Sequence, residues 1–163
     1  MGRATVCRRA GAYKNKRISR MKSDQRVVSI VLTYLGALPF WLLILASVAA
    51  PQIEAQRAFI IYGAIIGSFM AGTLWGSIQN GRHDVLVVVS SNVLALVAFA
   101  TLLIGSTTVS LLTQMISFGL LLAADARIIA EHDDLGWYLK LRVRVTLVVL
   151  FAFCLMFALH WAG

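Results

Sequence analysis

One uncharged stretch between Arg57 and Arg82, AFIIYGAIIGSFMAGTLWGSIQNG, most constrains what this chain can fold into. It is long enough to cross the ~30 Å hydrocarbon core of a bilayer, which requires about 20 apolar residues in a helix. At about 100° per residue, its small residues fall within roughly one half of the helix wheel. They are Gly63, Ala64, Gly67, Ser68, Ala71 and Gly72, with Trp75 on the same side.

The small half of this helix is predicted to face protein. Small residues let a neighbouring backbone approach closely, whereas a large side chain in lipid gains little by turning inward. The bulky half is therefore predicted to face lipid, and it contains Ile65, Ile66, Phe69 and Met70.

The remaining hydrophobic residues also come in blocks of bilayer length, so the predicted class is an all-α polytopic membrane protein. Sixty per cent of residues are hydrophobic and the mean hydropathy is +0.82. We expect a transmembrane domain over residues 27–163 with five spans, the N-terminus inside and the C-terminus outside. The spans are expected at about 27–50, 58–79, 85–104, 107–124 and 143–162.

The leader, residues 1–26, is basic, and Asp24 is its only carboxylate. Three interpretations stay open: a disordered cytoplasmic tail attracted to anionic lipid, a mitochondrial presequence, or a natural start at Met21. The tail or the late start is favoured, because residues 1–20 show no apolar stripe.

Charge placement predicts the orientation. With the N-terminus inside, nine basic residues precede the first span, and Arg82, Arg127, Lys140, Arg142 and Arg144 also lie inside, which places 14 of the 15 on that side. The positive-inside rule therefore favours this orientation over the reverse one.

Several residues inside the spans need partners. Pro39 is expected to kink the first span and free a carbonyl for a neighbouring helix. Asn92, Gln114 and Ser117 are intramembrane polar residues. Asn92 and Gln114 differ in depth by about 10 Å, so each is expected to bond a backbone or hydroxyl group on another helix rather than its counterpart.

Asp125 comes at a depth similar to that of Arg142 and Arg144 on the adjacent helix. An ion pair at the inner surface is the natural pairing, although solvated charges with little net energy are an equal alternative.

No catalytic motif, cofactor motif or metal-ligand spacing is present, so we expect a non-enzymatic protein without cofactor or metal. The net charge of +8 lies in the leader and loops without any nucleic-acid-binding motif, so no nucleic acid partner is expected.

The central helix resembles the small membrane proteins grouped as domain-of-unknown-function family 3429, which includes transmembrane protein 69 of animal mitochondria. The matching motifs are Tyr62-Gly63-Ala64, Ser68-Phe69, Ala71-Gly72 and Trp75-Gly76, together with Leu38-Pro39-Phe40, Trp137-Tyr138, Leu141-Arg142 and Thr146-Leu147. The resemblance implies a multi-span inner-membrane protein, in the bacterial cell membrane or alternatively in the mitochondrial inner membrane, and brings no established activity.

Three functions follow as hypotheses. The first is an assembly or accessory factor that packs through the small-residue face on a membrane-protein partner or on a second copy. The second is a small oligomeric transporter or channel-like protein whose path is lined by Ser68, Trp75, Asn92 and Gln114. The third is a lipid- or quinone-binding protein that uses Pro39 and Trp75.

Overall fold

Long apolar segments separated by short connections produce an all-helical structure. The computed structural model describes residues 27–50, 54–78, 85–130 and 136–162, and within these residues the chain forms five helices and no strand. The helices are α1 (Val27–Ala49), α2 (Ala55–Ile78), α3 (Val85–Leu103), α4 (Thr107–Ala130) and α5 (Gly136–Ala162). The predicted all-α class is confirmed.

Four of these helices are long and apolar enough to cross a membrane. The qualifying segments are Val27–Ala49, Ala55–Leu74, Thr107–Arg127 and Trp137–Ala162. Helix α3 is 19 residues long, and its apolar part, Val89–Leu103, is shorter than the other four. The chain is therefore a membrane protein, and its orientation remains a prediction.

Helices α3 and α4 are joined by three residues, Ile104 to Ser106. The Ser106 hydroxyl lies 3.5 Å from the amide nitrogen of Val109, and the Ser106 carbonyl accepts the first helical bond from Ser110. Ser106 thus takes the N-cap position of α4, where a serine oxygen can serve amide groups that lack helical partners. Such a short connection makes the two helices antiparallel neighbours.

The charged segment that was expected to connect α4 and α5 is largely helical. Helix α4 continues to Ala130, so Asp125 and Arg127 lie on its last turns, and α5 begins at Gly136, so Lys140 and Arg142 lie on its first turns. Helices extend past their apolar part here because Ala, Arg, Leu and Lys are good helix formers.

The chain divides into two compact units, with their boundary between Leu35 and Gly36 inside α1. In the described part of the first, the Thr33 hydroxyl donates to the Ser29 carbonyl at 2.6 Å. In the second, α2 packs against α3 and α4, α3 packs against α4, and α4 packs against α5.

Candidate functional site

Gln114 of α4 lies at the junction of three helices. Its side chain is 1% exposed. Its amide nitrogen Nε2 donates to the Ile60 carbonyl of α2 at 2.9 Å and to the Thr101 hydroxyl of α3 at 2.7 Å. A carbonyl can only accept, so the nitrogen must face Ile60. These partners are of the kind predicted from the sequence, namely backbone and hydroxyl groups on other helices.

The hydrogen bonds of Gln114 continue into a small polar network. The Thr101 hydroxyl donates its own proton to the Ala98 carbonyl at 2.7 Å, which leaves a lone pair for Gln114. The Ser110 hydroxyl donates to the Thr101 carbonyl at 2.8 Å. Threonine and serine bonds of this type join α3 to α4 in a medium that offers no water.

The other side of the Gln114 amide presses against Gly63. Its oxygen Oε1 is buried and has no hydrogen-bond partner among the described residues. A Cβ atom built on Gly63 would overlap this oxygen and would lie 3.0 Å from Cζ of Phe153. The absence of a side chain at Gly63 therefore leaves room for the Gln114 amide of α4 and the Phe153 ring of α5.

The rest of the small-residue half divides between the interior and the outer surface. Ala64, Gly67 and Ala71 are buried, and a Cβ on Gly67 would make an ordinary 3.7 Å contact with Ala98. Ser68 and Gly72 are exposed, and no described residue lies within 4 Å of a Cβ built on Gly72. Any packing of these two residues against protein therefore concerns a partner. The side chain of Trp75 lies outside the described residues.

The prediction that Met70 faces lipid is wrong, since Met70 is only 7% exposed. Helix α2 has neighbours on two sides, α3 and α4, so the buried arc is wider than the small-residue half. Phe69 and Ile65 do lie outward, at 69% and 57% exposed.

Aromatic rings fill the space beside Gly63. Phe40 from α1, Phe59 from α2, Phe118 from α4 and Phe153 from α5 are each no more than 2% exposed. Five of their pairwise ring distances lie between 4.8 and 6.4 Å. Edge-on and tilted contacts of this kind stabilise a core beyond the area that they bury.

Pro39 lies in α1 one residue before Phe40, and the helix continues through it. A proline removes the bond to the carbonyl four residues earlier and crowds the preceding turn. The Tyr62 hydroxyl of α2 donates to the Gly36 carbonyl in that turn, at 2.8 Å. A carbonyl beside Pro39 is thus bonded from a neighbouring helix.

A second junction lies near the ends of α4 and α5. Arg142 Nε donates to Asp125 Oδ2 at 2.6 Å, and the two side chains are 11% and 9% exposed. Arg142 Nη2 also reaches the Thr73 hydroxyl of α2 at 3.2 Å. The structure therefore brings Asp125 together with Arg142, whereas Arg144 is exposed.

The three predicted intramembrane polar residues do not converge on one site. The Ser117 hydroxyl is bonded to the Thr113 carbonyl of its own helix at 2.8 Å. Asn92 lies on the exposed side of α3, away from the buried face that carries Thr101. Only Gln114 reaches the interior junction.

Sequence reasoning missed the contacts of Thr73 and Gly63. A threonine in an apolar helix usually bonds its own backbone, as Thr73 does with the Met70 carbonyl at 2.7 Å. Nothing in its spacing signals the additional contact with Arg142. For Gly63, the sequence showed only that it lies on the small-residue half of the helix. That half also contains Gly72, which is exposed, so its position did not identify the contact.

In the described part of the chain, no three His, Cys, Asp or Glu side chains lie close enough together to bind a metal ion. His160 Nδ1 lies 3.0 Å from Gln56 Oε1, and this contact joins the end of α5 to the beginning of α2. His83 and His132 lie outside the described residues.

Comparison with known proteins gives one finding about the family. A family model described as "Protein of unknown function (DUF3429)" matches residues 26–159, which is most of the chain. No curated protein and no solved structure matches.

Proposed function

The chain belongs to the DUF3429 family, and we propose that it acts in its membrane as a non-enzymatic accessory or assembly factor that binds another membrane protein through the outer face of α2. This face is defined by Ile61, Ile65, Ser68, Phe69 and Gly72. The observation that carries the proposal is that Ser68 and Gly72 are exposed although their type and spacing suit helix packing.

The spacing of Ser68 and Gly72 is that of a small-xxx-small pair. Around them, Ile61, Ile65 and Phe69 are 41%, 57% and 69% exposed. A side chain is almost absent at Gly72, so a shallow depression lies between bulky neighbours. In lipid, where apolar area alone does not drive association, such a depression favours close packing of another helix.

The filled interior also supports this proposal over a path through one chain. The four buried phenylalanines occupy the space where α1, α2, α4 and α5 meet, with ring centroids as close as 4.8 Å. Interiors packed at this spacing leave little room for a solute.

We further propose that the protein sits in a bacterial cell membrane or a mitochondrial inner membrane with the basic leader and the α4–α5 connection inside. The charges of the leader and of Arg127, Lys140, Arg142 and Arg144 support this orientation through the positive-inside rule. In either membrane, the lipid bilayer is the protein's immediate partner.

A transporter or channel-like function is the second candidate, and Gln114 Oε1 is the observation that favours it, since an unpartnered buried oxygen can accept a hydrogen bond from a solute. Of the other proposed lining residues, Ser68 and Asn92 are exposed on outer surfaces of α2 and α3, and the side chain of Trp75 lies outside the described residues. A path that used them would run between copies of the chain. A lipid- or quinone-binding role around Pro39 and Trp75 is a third proposal.

The test is purification in mild detergent of the wild type, Gly72→Leu and the control Ile65→Leu. We expect the wild type and Ile65→Leu to retain an unlike membrane subunit in fixed stoichiometry. Gly72→Leu should lose it without a change in thermal unfolding, because a Cβ at Gly72 touches none of the residues that the structure describes.

Two results would contradict the accessory-factor proposal. One is retention of the same subunit by Gly72→Leu. The other is a homo-oligomer with a solute-permeable lumen, shown by solute flux into vesicles, which would favour the second candidate.

A further inference from the structure

The outer face of α5 carries cations directly in line with an apolar stripe. Lys140, Arg144, Leu147 and Phe151 follow one another at intervals of four, three and four residues, so they share one side of the helix. All four are exposed, with Leu147 at 57% and Phe151 at 61%. The stripe begins with two positive charges and continues with hydrocarbon.

Arg142 lies between these two cations in sequence but points to the other side of the helix. It is bonded to Asp125 at 2.6 Å and to Thr73 at 3.2 Å, so its charge is matched inside the bundle. Lys140 and Arg144 form no ion pair with any described residue. The positive charge that no described carboxylate matches on this part of α5 therefore points outward.

The apolar part of the stripe has a second wall. The ring of Trp41 in α1 lies beside that of Phe151, with centroids 5.9 Å apart and planes tilted by 33°. Trp41 is itself 37% exposed. Together the two rings form a ridge along which an extended hydrocarbon chain can lie.

The axial distances fit a phospholipid. Leu147 lies about 10 Å and Phe151 about 16 Å along the helix from Lys140, at 1.5 Å per residue. One leaflet of the hydrocarbon core is about 15 Å thick. A phosphate held at Lys140 and Arg144 would thus place its acyl chain on Leu147, Phe151 and Trp41.

We propose that this surface, Lys140, Arg144, Leu147, Phe151 and Trp41, is a binding site for one anionic phospholipid. Its phosphate lies between the Lys140 ammonium and the Arg144 guanidinium, and an acyl chain runs along the Trp41–Phe151 ridge. A lipid with a net negative charge is preferred over a zwitterionic one, because a headgroup cation would be repelled by both side chains. The site lies on α5 and does not depend on the function proposed for α2.

The experiment measures lipid binding to the full chain in neutral detergent by native mass spectrometry, with dioleoylphosphatidylglycerol and dioleoylphosphatidylcholine as probes. Each cation near a lipid surface contributes about 1 kcal/mol, which is about fivefold in affinity. Lys140→Gln and Arg144→Gln should therefore each weaken phosphatidylglycerol binding about fivefold, and the double variant about thirtyfold. Binding of phosphatidylcholine should change little.

Two matched controls each remove one exposed cation elsewhere. Arg127→Gln acts on the end of α4, and Arg57→Gln acts on the start of α2, where Arg57 is paired with Glu54. Both should leave phosphatidylglycerol binding within twofold of the wild type. Phe151→Ala should weaken binding of the dioleoyl lipid but not of a short-chain phosphatidylglycerol, which does not reach the ridge.

Three outcomes would overturn the site. Equal losses from Arg127→Gln and Arg144→Gln would show a diffuse attraction to negative charge. Equal affinity for the two dioleoyl lipids would show a non-selective lipid annulus. Displacement of phosphatidylglycerol by millimolar inorganic phosphate would show a simple anion site. The helical signal in circular dichroism is to be compared with that of the wild type, to check that each variant is folded.

Discussion

Two polar junctions connect helices inside the bundle, and they satisfy their polar groups in different ways. At the centre, the neutral amide of Gln114 makes two donor contacts, and its oxygen has no partner among the residues that the structure describes. Near the end, the charged Arg142 has Asp125 and Thr73 as partners. The loss of stability caused by a substitution therefore depends on the group that remains without its partner. At the first junction that group is neutral, and at the second it is a charged side chain.

The largest expected effect is at the charged junction. Asp125→Ala leaves Arg142 with no carboxylate in a place where its side chain is only 11% exposed. Breaking a buried pair by removing one partner typically costs about 3–5 kcal/mol. We expect a loss of this size in the free energy of unfolding, measured by titration with sodium dodecyl sulfate in mixed micelles.

The double variant Asp125→Leu with Arg142→Met provides the control, because replacement of both partners by apolar side chains is often neutral. It should recover most of the stability that Asp125→Ala loses. A double variant as unstable as the single one would mean that the contact of Arg142 with Thr73 matters more than its charge.

The second expected effect tests the close approach at the central junction. Gly63→Ala places a methyl group on Gln114 Oε1 and 3.0 Å from Phe153. Overpacking of a filled core costs about 1–3 kcal/mol. The same substitution at Gly72, where a Cβ meets nothing, should be neutral or slightly stabilising, since alanine favours a helix over glycine. Equal effects at the two glycines, in the same unfolding titration, would refute the distinction between them.

The pair of glycines also shows where prediction from sequence stops. Bilayer-length blocks predicted the five helices because the solvent, a hydrocarbon slab, determines helix length and satisfies no backbone group. The wheel placed Gly63 and Gly72 in one half, yet one is buried and the other exposed. The difference arises from Gln114 and Phe153 on other helices, whose positions no periodicity within α2 encodes.

The charged junction was more accessible to prediction. Asp125 and Arg142 lie at matching depths on consecutive helices joined by a short connection, so topology alone brings their backbones together. The selection of Arg142 over Arg144 depends on which side of α5 faces α4, because residues two positions apart lie on nearly opposite sides of a helix, at about 100° per residue. The sequence of α5 alone does not say which of these sides faces α4. Met70 was misplaced for a related reason, because the number of neighbours around α2 is a tertiary property.

The smallest expected effect is at Gln114 itself. Gln114→Met keeps a linear side chain of similar volume and removes both donor contacts together with the unpartnered oxygen. Hydrogen bonds between membrane helices contribute about 0.6 kcal/mol each on average, whereas an unpartnered buried polar atom costs about 1–3 kcal/mol. The groups left behind still have hydrogen-bond partners, since the Thr101 hydroxyl keeps its bond to the Ala98 carbonyl and the Ile60 carbonyl keeps its bond within the α2 helix.

For Gln114→Met we therefore expect the free energy of unfolding to change by less than about 1 kcal/mol in the same titration. For Gln114→Ala, which leaves a cavity, we expect a loss of about 2 kcal/mol or more. A loss in Gln114→Met as large as that in Gln114→Ala would mean that the amide, rather than its volume, holds the centre together, and the two junctions would then be alike.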